Sequence, residues 1–474
     1  MLTSTLRSLL AGAALAAAAV AQLPMTFGNL VVVRVGDGTA SLSSDIAPVF
    51  LDEYTPLGAL VQTIALPTAA SGANRAFGVR GSATSEAFLN VGLDGLHLTL
   101  GGYDAIPGTT NPTSTLATAV PRVVASIDVL GNVDTSTALQ DAYSGGNIRA
   151  AIGDGVGIWT SGTSTTEGGI RYVANVGATT SLGLNAGAPS NTRTVNIFDG
   201  QLYTSSASTI FLGVCKVGID LPTTPSQVVE LLPGFPTTGG TDAESAYDYF
   251  FADPDTLYVA DDNTTAVGSD GGIQKWTQAG GVWTKQYTLT LAPGNGCRGL
   301  TGFVQGGVTT LWGTFNTNAT GGNQTVLGSV VDTGLGAVVT PLATSAPSTA
   351  FRGLRFLGLP SSLQHLSVGC GSATIAVHGN GQIGTDVRTT VRNAIGLPLI
   401  GYGTQPLNLP FCNCTLAHEF TLLFGPTATH TLALPNSQSV IGALILVQGV
   451  DFLAPNGCPD PMLTLTDAFS FTVQ

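Results

Sequence analysis

From Leu30 onward, apolar and polar residues alternate with a period near two, in short runs separated by Gly, Asn, Asp and Pro. Such alternation makes half-buried strands, and turn residues at these intervals mark an all-β chain. Around residue 250 the pattern predicts four successive strands, Ala246 to Ala252, Thr256 to Ala260, Gly272 to Thr277 and Val282 to Leu291. An earlier unit repeats the plan with Ile148 to Ile152, Gly157 to Thr160, Ile170 to Asn175 and Thr179 to Leu184. Gln201-Leu202-Tyr203 and Thr310-Leu311-Trp312 open the second strands of two further units. The unit from Asn74 to Gln140 is the longest, because the Pro/Thr-rich stretch Ile106 to Val120 precedes its strand Arg122 to Val129.

Six segments head these units: Ser85-Glu86-Ala87-Phe88-Leu89, Ile148-Arg149-Ala150-Ala151-Ile152, Thr192-Arg193-Thr194-Val195-Asn196-Ile197, Tyr247-Asp248-Tyr249-Phe250-Phe251, Cys297-Arg298-Gly299-Leu300 and Phe351-Arg352-Gly353-Leu354. Recurrence at intervals of about 44 to 63 residues is the mark of radially repeated sheets. The last unit stops after Leu359, one strand long, while Leu30 to Val35, Pro48 to Tyr54 and Leu57 to Leu66 are three strands lacking an inner partner. Three strands and one complete a blade, and joining the two ends removes open sheet edges. Residues 24–360 therefore read as a β-propeller. The count favours six blades, and seven stays open if the long unit conceals another.

After Pro360-Ser361-Ser362 the repeat ends. Predicted strands Ala373 to His378, Val387 to Asn393, Glu419 to Phe424, Thr429 to Leu434, Ala443 to Val447 and Ala468 to Val473 suggest that residues 361–474 form a small antiparallel β-sandwich. At the other end, Arg7 and the apolar stretch Ser8 to Val20 precede Ala19-Val20-Ala21, a small-x-small cleavage pattern, so 1–21 reads as a secretory signal peptide. That stretch is too short to span a bilayer, and Val440 to Val450, the best later run, carries Gly and Gln, so no transmembrane segment is expected. The expected location is extracytoplasmic, secreted or at the cell surface.

Export permits disulfides. Cys412 and Cys414 are too close for an unstrained mutual bridge, so each would join Cys370 or Cys458. The pairing Cys370–Cys414 with Cys412–Cys458 is favoured, and the converse stays open. A four-cysteine zinc site would want C-x2-C pairs, which are missing. Cys215 and Cys297 fall in non-adjacent blades and read as buried thiols.

Only 9% of residues are charged, against about 25% in ordinary globular chains, and 43% are hydrophobic, so a large core is expected. A formal charge of −13 with three lysines, Lys216, Lys275 and Lys285, argues against nucleic acid and anionic membrane surfaces as partners.

Leu30-Val31-Val32-Val33-Arg34-Val35-Gly36-Asp37-Gly38, Phe50-Leu51-Asp52-Glu53-Tyr54, Leu257-Tyr258-Val259-Ala260-Asp261-Asp262 and Gly272-Ile273-Gln274-Lys275-Trp276 resemble a family of secreted bacterial propeller proteins of uncharacterised activity. Gly401-Tyr402-Gly403, Cys414-Thr415-Leu416 and Ala443-Leu444-Ile445-Leu446-Val447-Gln448-Gly449 resemble a C-terminal module of exported bacterial proteins. The resemblance implies an extracytoplasmic location and surface attachment, and carries over no catalytic residue.

In a propeller the first strand of each blade lines the axis. Aligning the six heads puts Glu86, Arg149, Arg193, Asp248, Arg298 and Arg352 at equivalent places, four guanidiniums and two carboxylates around one channel. Arginine's rigid fork suits oxyanions, so the expected ligand is a carboxylate, a phosphate or an acidic saccharide. The competing expectation is that these groups pair with each other and with loop carbonyls, tying blades together. A non-catalytic binding or surface-scaffold protein is the leading reading, with a propeller hydrolase or lyase acting on an acidic saccharide as its rival.

The rival lacks an evident base, because the mature propeller has one histidine, His97, which reads as a solvent-facing strand residue. His365, His378, His418 and His430 are scattered through the tail. Sialidase-like chemistry would use clustered Arg, a Tyr nucleophile and an acid, for which Arg149, Arg193, Arg298, Tyr247 and Glu86 are available. However, Ser269-Asp270-Gly271-Gly272 through Trp276 has its Asp one place early for the S-x-D-x-G-x-x-W box. No cofactor is expected. Calcium is the one metal weighed, for Asp253, Asp255, Asp261, Asp262, Asn263 and Asp270, but these also suit solvated turns. Trp159, Trp276, Trp283 and Trp312 could stack on sugars but fit blade cores better.

Overall fold

The computed structural model describes residues 23–473 apart from 27, 94, 165–167, 239–244, 264–270, 306, 318–323, 358–363, 368, 379–385, 412–413, 436, 441 and 455–461. The signal peptide, the Pro360-Ser361-Ser362 linker, Asp270, Cys412 and Cys458 lie outside the described residues. Among those described there is no α-helix; Pro112–Ser114 and Gln438–Val440 form short 3-10 turns.

Among the described residues, six four-stranded antiparallel sheets follow one another along the chain. Their innermost strands are Asn90–Val91, Ile148–Gly153, Thr192–Phe198, Ala246–Asp253, Cys297–Gln305 and Ala350–Phe356, and the sheets are numbered one to six in that order. Sheets one to five run outward in chain order. The sixth is composite: Ala350–Phe356 pairs with Leu30–Val35, which pairs with Val49–Tyr54 and then Leu60–Ala65. The chain's early strands are thus held by its later one, and neither leaves an open inner edge. Consecutive inner strands pack on one another and the sixth returns to the first, which is the arrangement of a β-propeller.

The long first unit contains one four-stranded sheet, and the two-stranded ribbon Ile46–Ala47 with Val79–Arg80 lies beside it. Its Pro/Thr-rich insertion is pinned by the fully buried Arg122, which donates to the carbonyls of Thr115, Val120 and Gly146. Between sheets the core is apolar and divided into several clusters, in which Trp159, Trp276, Trp283 and Trp312 are all buried. Cys215 and Cys297 are buried free thiols.

Toward the C-terminus, a five-stranded sheet (Gln364–Ser367, Leu463–Thr472, Leu444–Phe452, Leu397–Gly403, Leu422–Phe424) and a three-stranded sheet (Thr374–His378, Asp386–Arg392, Thr429–Ala433) share one core. Val387 and Val391 from the smaller sheet meet Ile400, Tyr402 and Val447 from the larger. A ribbon, Pro406–Phe411 with Cys414–His418, is tied back by a disulfide between Cys370 and Cys414.

Candidate functional site

One local irregularity recurs around the axis. In sheets two to six the inner strand carries a β-bulge, where pairing skips between Ile148 and Ala150, Thr192 and Val195, Ala246 and Tyr249, Cys297 and Gly299, and Phe351 and Leu354. A bulge bends the strand and re-aims the side chain it frees. The freed residues include Arg149, Arg193, Tyr247, Arg298 and Arg352. Several of the carbonyls released by the bulge are satisfied by a hydroxyl from the preceding sheet's second strand. Ser161 donates to the Arg193 carbonyl at 2.8 Å, Ser205 to that of Tyr247, and Thr314 to that of Arg352 at 2.7 Å. Glycine follows the bulged arginine in sheets five and six for a steric reason. A Cβ at Gly299 would strike the Arg352 carbonyl, and one at Gly353 would strike the Leu89 amide.

Each guanidinium reaches sideways to the neighbouring sheet. Arg149 donates to Asn191 Oδ1 at 2.6 Å and to the Thr192 carbonyl at 3.0 Å. Arg193 donates to the Ala246 carbonyl at 2.7 Å and stacks over the Tyr247 ring at 3.8 Å. Arg352 donates to the Gly81 carbonyl at 3.0 Å. Among the described residues, Arg298 alone of the four has a carboxylate in contact, with Nε 2.9 Å from Asp262 Oδ2. Among the described residues, Arg149, Arg193 and Arg352 have no acid within ion-pair distance, and Arg149 Nε is buried without a hydrogen-bond partner.

These charges feel one another. Burial, followed by the nearby Arg193, pulls the Arg149 pKa down to about 10. Burial, followed by Arg298, does the same to Arg352, also to about 10. Arg193 is lowered chiefly by burial, with Arg298 adding repulsion against the attraction of Tyr247 and Asp262. A guanidinium keeps its charge at neutral pH, so the ring concentrates positive charge in a partly dry setting.

Glu86 is the ring's own acid. It is buried, and burial raises its pKa against three hydrogen bonds that favour the carboxylate. Those bonds come from Asn147, from Tyr103 Oη at 2.9 Å and from the Arg80 amide at 2.9 Å. Across the axis, Tyr247 Oη lies 3.1 Å from Thr84 Oγ1, so a side chain of sheet four meets the loop leading into sheet one.

The structure therefore brings together Glu86, Arg149, Arg193, Arg298 and Arg352, but not Asp248. In sheet four the bulge turns Tyr247 to the ring and buries Asp248 farther down the axis. There Asp248 holds Arg355 with both oxygens, at 2.7 and 3.0 Å, and accepts the Leu300 amide at 3.1 Å. Arg355 also donates to Asn90 Oδ1 at 2.6 Å. Aligning the heads by charge rather than by pleat hid this. Matching Ala246 to Thr192, the residue before each bulge, puts Tyr247 opposite Arg193 and would have found it. Asp262, Asn147 and Arg355 left no comparable signal, because their roles depend on contacts between sheets.

The remaining candidates have local roles. His97 is exposed on its strand. Asp253 accepts the Asp255 amide, and Asp261 accepts the amides of Ser245 and Asn263, so they shape turns. Among the described residues no group of three His, Cys, Asp or Glu side chains could hold a metal ion.

No family model matches the chain and no curated protein matches it in sequence. Solved structures similar to it include the sialidase of Trypanosoma rangeli in complex with the inhibitor DANA, at 10% identity and TM-score 0.41, covering 95% of this chain and 92% of that one. The periplasmic gluconolactonase of Pseudomonas aeruginosa aligns at 10% identity and TM-score 0.36, covering 86% of this chain and 100% of that one. AztD from Citrobacter koseri aligns at 12% identity and TM-score 0.29, covering 94% of this chain and 95% of that one. Likeness at this level transfers neither an activity nor a residue's role.

Proposed function

We propose that this is an exported anion-binding protein: a six-bladed propeller over residues 24–360, closed by strands from both ends, carrying a β-sandwich over residues 361–474 and released from a signal peptide at 1–21. Its ligand is a small anion, the carboxylate or phosphate of an acidic saccharide, held non-catalytically at the axial ring. The observation that carries this reading is that, among the described residues, no carboxylate lies within ion-pair distance of Arg149, Arg193 or Arg352, whereas Arg298 has one. Guanidiniums kept dry and close to one another are relieved by a bound oxyanion, which each can meet with a forked pair of N–H groups. The extracytoplasmic location draws on the Cys370–Cys414 disulfide, and no described helix is long and apolar enough to cross a membrane.

One observation favours the rival hydrolase or lyase reading. The bulge sets Tyr247 among Arg149, Arg193 and Arg352, where a phenol oxygen could serve as a nucleophile. Against it, the Tyr247 hydroxyl meets Thr84 and Glu86 is engaged elsewhere.

Purified protein titrated with phosphate, sialylated and uronate saccharides should bind at least one anion, with affinity falling as salt rises and about tenfold weaker in Arg149→Met. Binding indifferent to salt and to that substitution would remove the ring from the account. Turnover of a bound saccharide that disappears in Tyr247→Phe would establish the rival.

A further inference from the structure

The inner strands also line a cavity away from the arginine ring. Two to five residues beyond the bulged residues, roughly 7–17 Å along the strands, lies a cavity of about 230 Å³ walled by sheets one, three, four, five and six. Phe198, Phe250 and Phe356 are half-buried and line it with aromatic surface. Trp312 stacks on Phe356 at 5.0 Å and Phe251 on Phe198 at 4.6 Å, so two of these rings are held from behind.

The polar groups in this wall are donors. Tyr249 is 2% exposed; its oxygen lies beside the Asn196 backbone amide, and its own proton finds no acceptor among the described residues. A buried hydroxyl left dry is costly and marks a place where something else supplies the acceptor. Asn196 spends its Oδ1 on the Ile197 amide at 2.8 Å, leaving its NH₂ group. Thr301 Oγ1 accepts the Phe356 amide at 3.1 Å, leaving its proton to give. Arg355 reaches the same wall, but Asp248 cancels its charge.

We propose that this cavity is a binding site for a small uncharged sugar, a monosaccharide or the terminal ring of a longer glycan. An anion gains nothing here, because the one cation is already paired. A plain aromatic ring would satisfy the phenylalanine faces and leave the donors dry. A pyranose satisfies both, laying C–H groups on the aromatic rings and offering hydroxyl oxygens to Tyr249, Asn196 and Thr301. The volume is adequate, since a cavity of about 150 Å³ already admits benzene. The site stands apart from the arginine ring and does not depend on it.

Saturation-transfer NMR and calorimetry with glucose, galactose and N-acetylglucosamine test the assignment. At least one sugar should bind the full chain in the millimolar range, about tenfold more weakly in Tyr249→Phe and in Asn196→Leu, and unchanged in Arg149→Met. Tyr249→Phe removes only the hydroxyl, and Asn196→Leu tests the same wall from a half-buried position should the first variant fold poorly. Failure of all three sugars to bind overturns the proposal, as does binding of phenol in their place. Equal affinity in wild type and both variants overturns it as well.

Discussion

Arg352 and Arg355 lie three residues apart on one strand, both buried, yet they are treated in opposite ways. Arg355 is gripped by both oxygens of Asp248 and by the carbonyls of Leu300 and Leu354, and its charge is cancelled where it sits. Arg352 has the Gly81 carbonyl and, among described residues, no acid within ion-pair reach, so burial and Arg298 weaken its hold on its proton. Burying a guanidinium is expensive unless a carboxylate compensates it. The inner layer meets that cost with a carboxylate of its own, whereas Arg352 meets it with a carbonyl, which is the difference the proposed anion site rests on. Burial of an arginine in a propeller axis is thus no guide to its role; the identity of its partners is.

The largest effect should come from breaking the paired layer. Asp248→Ala strands Arg355 without a counter-ion and should cost about 3–5 kcal/mol in denaturant unfolding. A loss below about 1 kcal/mol would show that the inner layer is no better compensated than the ring.

Next in size, Gly353→Ala forces a methyl against the Leu89 amide and spreads sheet six from sheet one. A loss of about 1–3 kcal/mol is expected, together with weaker anion binding as the ring widens. Unchanged stability would mean that the close approach at this bulge is dispensable.

The smallest effect lies in pH dependence, and there paired and unpaired acids have opposite signs. Asp332 accepts Lys275 Nζ at 2.8 Å, Tyr287 Oη at 2.7 Å and Tyr258 Oη, and despite partial burial these partners hold its pKa down to about 2. Its contribution to stability is complete above its unfolded value near 3.8 and disappears as pH falls toward 2. Glu86 is raised, chiefly by burial, so its linkage favours the fold below its unfolded value and that benefit is lost as pH rises through its folded value. Stability against pH for Asp332→Asn should therefore lose the acid-side slope of wild type, and Glu86→Gln should steepen the net fall toward acid. Parallel curves for the two variants would erase the distinction between the paired and the unpaired acid.

Much of this architecture was written in the chain. The period-two alternation marked the strands, and the roughly regular spacing of the heads marked the sheets. The orphan strands Leu30–Val35, Val49–Tyr54 and Leu60–Ala65 foretold that Ala350–Phe356 would complete a composite sheet. Arg149, Arg193, Arg298 and Arg352 were also legible, because each follows a buried head residue at a constant offset. Charge alone misplaces Asp248, because register decides which residue of the bulge faces the ring. A β-bulge inserts one or more unpaired residues, and side chains alternate faces at every step, so a slip of one place exchanges Tyr247 for Asp248.

The sequence by itself determined the strands, their grouping and the arginines at the bulges, since alternation, turns and spacing are local properties. Only the tertiary structure decided which arginine meets an acid, because Asp248 and Arg355 are separated by 107 positions and meet only when sheets four and six close around one axis. The polar groups of the aromatic-lined cavity are in the same position. Tyr249, Asn196 and Thr301 are ordinary strand residues until curvature brings their three sheets to one cavity.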